Sequence, residues 1–96
     1  MVTAFVLITA KRDMIPETAE ALSGLEGVAE VYSVAGPYDI VAVIRVKTNE
    51  QLVELVTGHM LKLKGIERSE TLIAFRASSK FDLERMFAIG MAEEKG

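Results

Sequence analysis

Apolar and polar positions along the chain change period several times, and each change marks an element. Residues 2–9 alternate: Val2, Ala4, Val6 and Ile8 fall on one side, Thr3, Phe5, Leu7 and Thr9 on the other. A period of two with apolar groups on both sides predicts a strand with two buried faces. Lys11-Arg12-Asp13 breaks it. Pro16 then stands at a first helical position with Glu17 beside it, favourable to the helix dipole. Ile15, Ala19, Leu22 and Leu25 supply a modest apolar stripe, closed by Gly24 and Gly27. Residues 28–35 predict a second strand. Gly36-Pro37-Tyr38-Asp39 follows as a reversal, because glycine tolerates positive φ and proline fixes φ while removing a donor. Residues 40–44 are apolar without alternation, which predicts a third strand, running to Val46, buried on both sides.

Thr48-Asn49-Glu50-Gln51 has the spacing of a capping box. Leu52, Leu55, Val56, Met60 and Leu63 continue at helical spacing, with Gly58 implying close packing there. Residues 66–77 predict a fourth strand, with Ser69, Thr71, Ile73 and Phe75 on one side and Glu70, Leu72, Ala74 and Arg76 on the other. Ser79 can cap a final helix, with Asp82 three residues on and Leu83, Met86 and Phe87 as its stripe; residues 93–96 read as a frayed tail. Leu25-Glu26-Gly27-Val28 is echoed by Leu63-Lys64-Gly65-Ile66, each where a helix yields to a strand. The order is strand-helix-strand twice over. The fold class is therefore α+β, a ferredoxin-like βαββαβ arrangement with a four-stranded antiparallel sheet, two helices on one face and an added C-terminal helix.

Two helices cover only one face of such a sheet. With about eight apolar side chains on the other, burial at ~1.5–3 kcal/mol each is worth on the order of 12–24 kcal/mol before entropy costs. A monomer would expose an unusually large patch. The pattern predicts a two-fold homodimer packed sheet against sheet. The competing reading folds the C-terminal helix back over that face, which its short, glycine-interrupted stripe covers only in part.

Composition narrows the chemistry. The 96 residues suffice for one domain, and a net charge of −3 with interspersed signs argues against direct nucleic-acid binding. There is no cysteine, which excludes disulfides, thiolate metal sites and cysteine nucleophiles and fits a reducing, cytoplasmic setting. The apolar opening lacks the basic flank of a signal peptide, and no run reaches membrane-spanning length. The single histidine, His59, falls on the second helix's apolar stripe and reads as a packing residue. Glu67 and Glu70 point to opposite faces of a strand and cannot form a working carboxylate pair. No metal-ligand spacing, phosphate loop or nucleophile elbow occurs, so neither cofactor nor catalytic residue is expected. The hairpin tip at residues 36–39 leaves two readings open: Asp39 only bonds turn amides while Tyr38 covers an edge, or the tip helps to bind a small effector between subunits.

VAGPYDIVAVIRV, a helix opening at Thr48, and then GIERSETLIAF together resemble the effector-binding (RAM) domain of the Lrp/AsnC transcriptional regulators. The glycine-x-tyrosine-aspartate hairpin is the most specific element. The similarity spans roughly residues 2–77, so residues 1–78 are assigned as a RAM-like domain and residues 79–96 as a C-terminal helix and tail. The resemblance implies dimers through sheet faces, rings of dimers that are often octamers, and amino-acid effectors held between dimers. By position, the effector site it implies comprises Gly36, Tyr38, Asp39, Ser69 and Thr71. Asp39 would pair with an α-ammonium group; turn amides and the Ser69 and Thr71 hydroxyls would hold an α-carboxylate. The first strand begins at Val2, leaving no helix-turn-helix half in this sequence. The expectation is a stand-alone domain that senses an amino acid, or modulates full-length Lrp/AsnC regulators by mixed assembly. A cofactor-free enzyme of the dimeric α+β barrel type and an assembly module binding no metabolite are the alternatives.

Overall fold

The computed structural model describes residues 1–78. The elements run β1 (Val2–Ala10), α1 (Ile15–Ser23), β2 (Val28–Ser33), β3 (Ile40–Val46), α2 (Asn49–Gly58) and β4 (Ile66–Ala74), with 3₁₀ turns before α1 and after α2. The four strands form one sheet in the order β2-β3-β1-β4, with every pair antiparallel. This is the ferredoxin-like α+β arrangement, with α1 and α2 on the same face of the sheet.

Alternation in β1 sorts its side chains as the pattern requires. Ala4, Val6, Ile8 and Ala10 are buried beneath the helices, alongside Ile40, Ala42 and Ile44 of β3. Leu22 of α1 and Leu52 and Leu55 of α2 close the core from above, together with Met60. The expected final helix, with Leu83, Met86 and Phe87, lies outside the described residues.

The sequence echo is also a backbone echo. Leu25 N–H donates to Leu22 C=O at 3.1 Å, and Val28 N–H to Leu25 C=O at 3.2 Å. After α2, Leu63 N–H donates to Met60 C=O at 3.1 Å, and Ile66 N–H to Leu63 C=O at 3.3 Å. Each turn starts from a fully buried side chain, Leu22 or Met60, which anchors the helix-to-strand passage. Gly65 is buried in the second passage, where a β-carbon would collide with Thr18 Oγ1.

Some boundaries differ from those expected. β4 ends at Ala74 because that residue pairs with Thr3, near the start of β1, and among the described residues nothing beyond it finds a ladder partner. β2 stops at Ser33, where the 36–39 reversal begins to bend the chain. α2 stops at Gly58 instead of running to Leu63: His59 takes φ −129°, ψ −54°, and a 3₁₀ turn at Met60–Lys62 follows. Glycine's poor helix propensity makes that a natural stop. The helical phase from Leu52 is lost there, so His59 does not pack on the stripe. Its side chain is exposed, with Nε2 3.9 Å from Glu54 Oε1. Thr48 caps α2 as expected, accepting from Gln51 N–H at 3.1 Å. Gln51 Oε1 reaches back to Lys47 N–H at 2.9 Å, one residue before the cap.

The other face of the sheet is bare among the described residues. Ladder pairing places Phe5 between Val43 and Leu72, and Leu7 beside Val41. Tyr32 opposes Val41 and extends the apolar area to β2. Around it stand Glu30, Arg45, Arg68 and Glu70. Among these, Arg45 and Glu30 form an exposed ion pair at 3.4 Å.

Candidate functional site

The site grows from the way the β2–β3 hairpin is tied to β1. Val34 N–H donates to Asp39 C=O at 2.9 Å and closes the loop. Gly36 takes φ 129° at its tip, in open space, so glycine is required there by backbone conformation and not by crowding. Asp39 N–H donates to Ile8 C=O at 2.9 Å, one step beyond the last β1–β3 pair. Its Oδ2 accepts from Ala10 N–H at 2.9 Å. Ala10 N–H points to the β3 side of β1, two residues beyond the Ile8–Ile40 pair at which the β1–β3 ladder ends. The carboxylate satisfies a backbone donor that the end of the ladder would otherwise leave unpaired.

Tying the loop down brings Tyr38 across the end of β1 to β4. Its hydroxyl donates to Glu70 Oε2 at 2.8 Å. Thr9, Pro37, Tyr38, Arg68, Ser69 and Glu70 line a cleft of about 320 Å³. The cleft thus gathers a carboxylate, a guanidinium, a phenol and two hydroxyls. Among the described residues, Arg68 has no ion-pair partner within 4.0 Å. A small zwitterion needs one group of each sign within reach, and Arg68 with Glu70 supplies both.

Of the expected site residues, Tyr38 and Ser69 share this cleft. Asp39 sits beside it, with Oδ2 committed to Ala10. Gly36 stands at the loop tip. Thr71 lies opposite Val6, farther along β4 and on the helix side, outside the cleft lining. Thr9, Pro37, Arg68 and Glu70 were not among the expected site residues, Glu70 having been considered only as a carboxylate partner for Glu67. Arg68 and Glu70 share a face because they are two apart in β4. What β4 alone does not reveal is that pairing with Thr9 and Leu7 sets them beside Tyr38.

A larger open groove of about 920 Å³ runs beside α2, past Glu26, Arg45, Lys47, Glu50, Glu54 and His59. It is the less promising of the two. Two of its polar side chains already have nearby partners: Arg45 is bonded to Glu30 and His59 lies near Glu54.

The hydrogen bond to Glu70 raises the Tyr38 phenol above its ordinary pKa, and the nearby Arg68 charge only partly offsets this. Tyr32 is likewise raised by its bond to Glu30, whose own carboxyl is lowered chiefly by that same bond. A raised phenol keeps its donor to higher pH, so both tyrosine contacts persist beyond the usual phenol range and break as pH rises through the shifted values. Absorbance titration should show both tyrosines ionising late. Glu70→Gln should return Tyr38 toward its ordinary value and leave Tyr32 unchanged; two unshifted tyrosines in the parent protein would contradict the geometry.

The family model of the Lrp/AsnC ligand binding domain matches residues 3–82. An HTH-type transcriptional regulator of Pyrococcus furiosus is 34% identical over 76 residues, 76% of this chain and 51% of the relative. The regulator FL11 of Pyrococcus abyssi is 36% identical over 75 residues, 76% of this chain and 48% of its own length. The chain therefore spans about half the length of the curated relatives it matches. Among solved structures, TTHA0845 from Thermus thermophilus superposes with a TM-score of 0.79 at 51% identity, covering 83% of this chain and all (100%) of that one. A feast or famine regulatory protein of M. tuberculosis, complexed with L-methionine, superposes with a TM-score of 0.66 at 27% identity, covering 83% of this chain and 54% of that chain.

Proposed function

The chain belongs to the Lrp/AsnC family as a ligand-binding domain, and from that premise we propose that it senses an amino acid and passes that signal on through its assembly. The observation that carries this reading is the cleft at Tyr38, where Arg68 and Glu70 present opposite charges to a space of amino-acid size. An α-carboxylate would lie against Arg68 and the Thr9 hydroxyl, which share a face, with Ser69 bounding the cleft from the helix side. An α-ammonium group would lie against Glu70 and the free oxygen of Asp39. The methionine in the mycobacterial relative supports an amino acid as the ligand class. The cleft sits at an open end of the sheet, so a neighbouring dimer would close it and exclude water, strengthening each polar contact. Thr71 and Gly36 enter the site through that neighbour's approach. In this reading the assembly is a homodimer built into a higher ring, and mixed assembly with full-length Lrp/AsnC regulators passes the signal on. It carries no catalytic step.

Calorimetry against the twenty amino acids tests the proposal directly. At least one should bind with Kd of 1 mM or tighter, about −4 kcal/mol; silence across the set would end it. Asp39→Asn keeps an acceptor for Ala10 N–H and removes the charge. It should weaken binding about tenfold, about 1.4 kcal/mol, while the thermal midpoint stays near that of the parent. Unchanged affinity would remove Asp39 from the site.

A further inference from the structure

The lining of the Tyr38 cleft divides into a charged part and an apolar part. At about 320 Å³ the cleft lies at the small end of ligand pockets, which span roughly 300–1,000 Å³, and so fits a single amino acid. Of the lining residues, only Arg68 and Glu70 are charged. A bound amino acid takes up both with its own α groups: the carboxylate on Arg68 and Thr9, the ammonium on Glu70 with Asp39 beside it. Pro37, the Tyr38 ring and the Ser69 hydroxyl are left to meet the side chain. A charged side chain would therefore find no free counter-charge in the lining. Where a neighbouring dimer closes the cleft, that charge would be desolvated without compensation.

The apolar part is fixed before any ligand arrives. The ring of Tyr38 is half-buried and tied at both ends. On the backbone side, Asp39 N–H donates to Ile8 C=O at 2.9 Å and Asp39 Oδ2 accepts from Ala10 N–H at 2.9 Å. At the far end of the ring, the hydroxyl donates to Glu70 Oε2 at 2.8 Å. That bond uses the only donor a phenol has, so the residue meets a ligand mainly with ring carbon. Pro37, next to it, has a fixed φ and no backbone donor. A wall positioned in advance loses little freedom on binding. Paired aromatic rings also gain more from each other than burial of area alone supplies. Resting on the amino-acid reading of this cleft, we propose that Pro37 and Tyr38 determine its specificity and select an amino acid with an uncharged aromatic side chain, of which phenylalanine is the type. A cationic side chain is the nearest competitor, because a ring face attracts cations. That attraction is weak where water reaches the ring, and both nearby carboxylates are already engaged.

Calorimetry on the full chain with L-phenylalanine, L-leucine, L-asparagine, L-lysine and L-glutamate reads the class. Phenylalanine should bind tighter than each of the other four by about tenfold or more. Any of the four matching or exceeding phenylalanine would overturn the inference and leave the amino-acid reading standing, whereas silence across all twenty amino acids would end both. A second readout comes from the protein's own fluorescence. The chain has two tyrosines and no tryptophan, so Tyr32→Phe leaves Tyr38 as the single strong emitter. Its emission should change as phenylalanine saturates, with the Kd found by calorimetry; binding without any change would place the ligand away from the ring. Tyr38→Ala should weaken phenylalanine binding by about tenfold or more, and Tyr38→Phe, which keeps the ring and loses only the bond to Glu70, should recover most of that loss. Equal losses in the two variants would make the hydroxyl the determinant, and that too would overturn the inference.

Discussion

Replacing Phe5 by aspartate is expected to abolish the proposed sheet-face dimer without unfolding the chain. Phe5 lies on the bare face of the sheet, between Val43 and Leu72 and away from the helix-covered core. It is 36% exposed in the single chain, so aspartate there remains solvated in a monomer. In a sheet-on-sheet dimer the two-fold axis brings the substitution in twice. Two carboxylates are then desolvated in an apolar seam, each at a cost of several kcal/mol. The dimer should weaken more than 100-fold, on the order of 3 kcal/mol or above. Sedimentation at micromolar concentration reads this directly, and circular dichroism should show the fold retained. A parent protein that already sediments as a monomer, or a variant as tightly dimeric as the parent, would remove the sheet-face dimer. The amino-acid reading would lose its interface with it.

Gly65→Ala should be the most damaging single-methyl change in the fold. A β-carbon at Gly65 would collide with Thr18 Oγ1 and would lie 3.2 Å from Thr18 Cβ and 3.4 Å from Met14 Cβ. Thr18 is itself only 3% exposed, so it cannot swing out into solvent. Backbone retreat is costly as well, because the Gly65 carbonyl accepts from Lys11 N–H at 2.7 Å. Overpacking of this kind costs ~1–3 kcal/mol or more. In a domain of this size that lowers the thermal midpoint by roughly 4–8 °C per kcal/mol. The partner is identifiable because the buried Thr18 hydroxyl has no hydrogen-bond partner. Thr18→Ala should therefore be near neutral or stabilising alone, since it removes an unsatisfied polar atom. Combined with Gly65→Ala it should recover at least half of the loss. Strict additivity of the two changes in denaturant unfolding would show that the collision is not with Thr18.

The periods along the chain marked out every described strand and helix, because burial imposes a two-residue repeat on β1 and a helical repeat on α1 and α2. The paired quartets at Leu25 and Leu63 revealed a repeated helix-to-strand passage, since both passages need a buried anchor and a glycine. His59 was misread because its phase was counted through Gly58, where the helix stops. Thr18 went unnoticed because a threonine in an amphipathic helix gives no sign that a glycine from another passage will press against it. The hairpin glycine and Asp39 were legible from turn chemistry. The bond from Asp39 to Ala10 was not, because it depends on where the β1–β3 ladder ends, and Ala10 lies 29 residues away in the chain.

Local pattern thus determined the elements, their order, the family resemblance and the surplus of apolar surface, all of which follow from spacing along one segment at a time. Tertiary structure alone decided which charges meet. Arg68 and Glu70 are brought to Tyr38 by the register of β4 on β1, and β4 is left partly bare by where the helices come to rest. Register and helix placement are settled by all four strands packing at once, and no single stretch of residues contains that information.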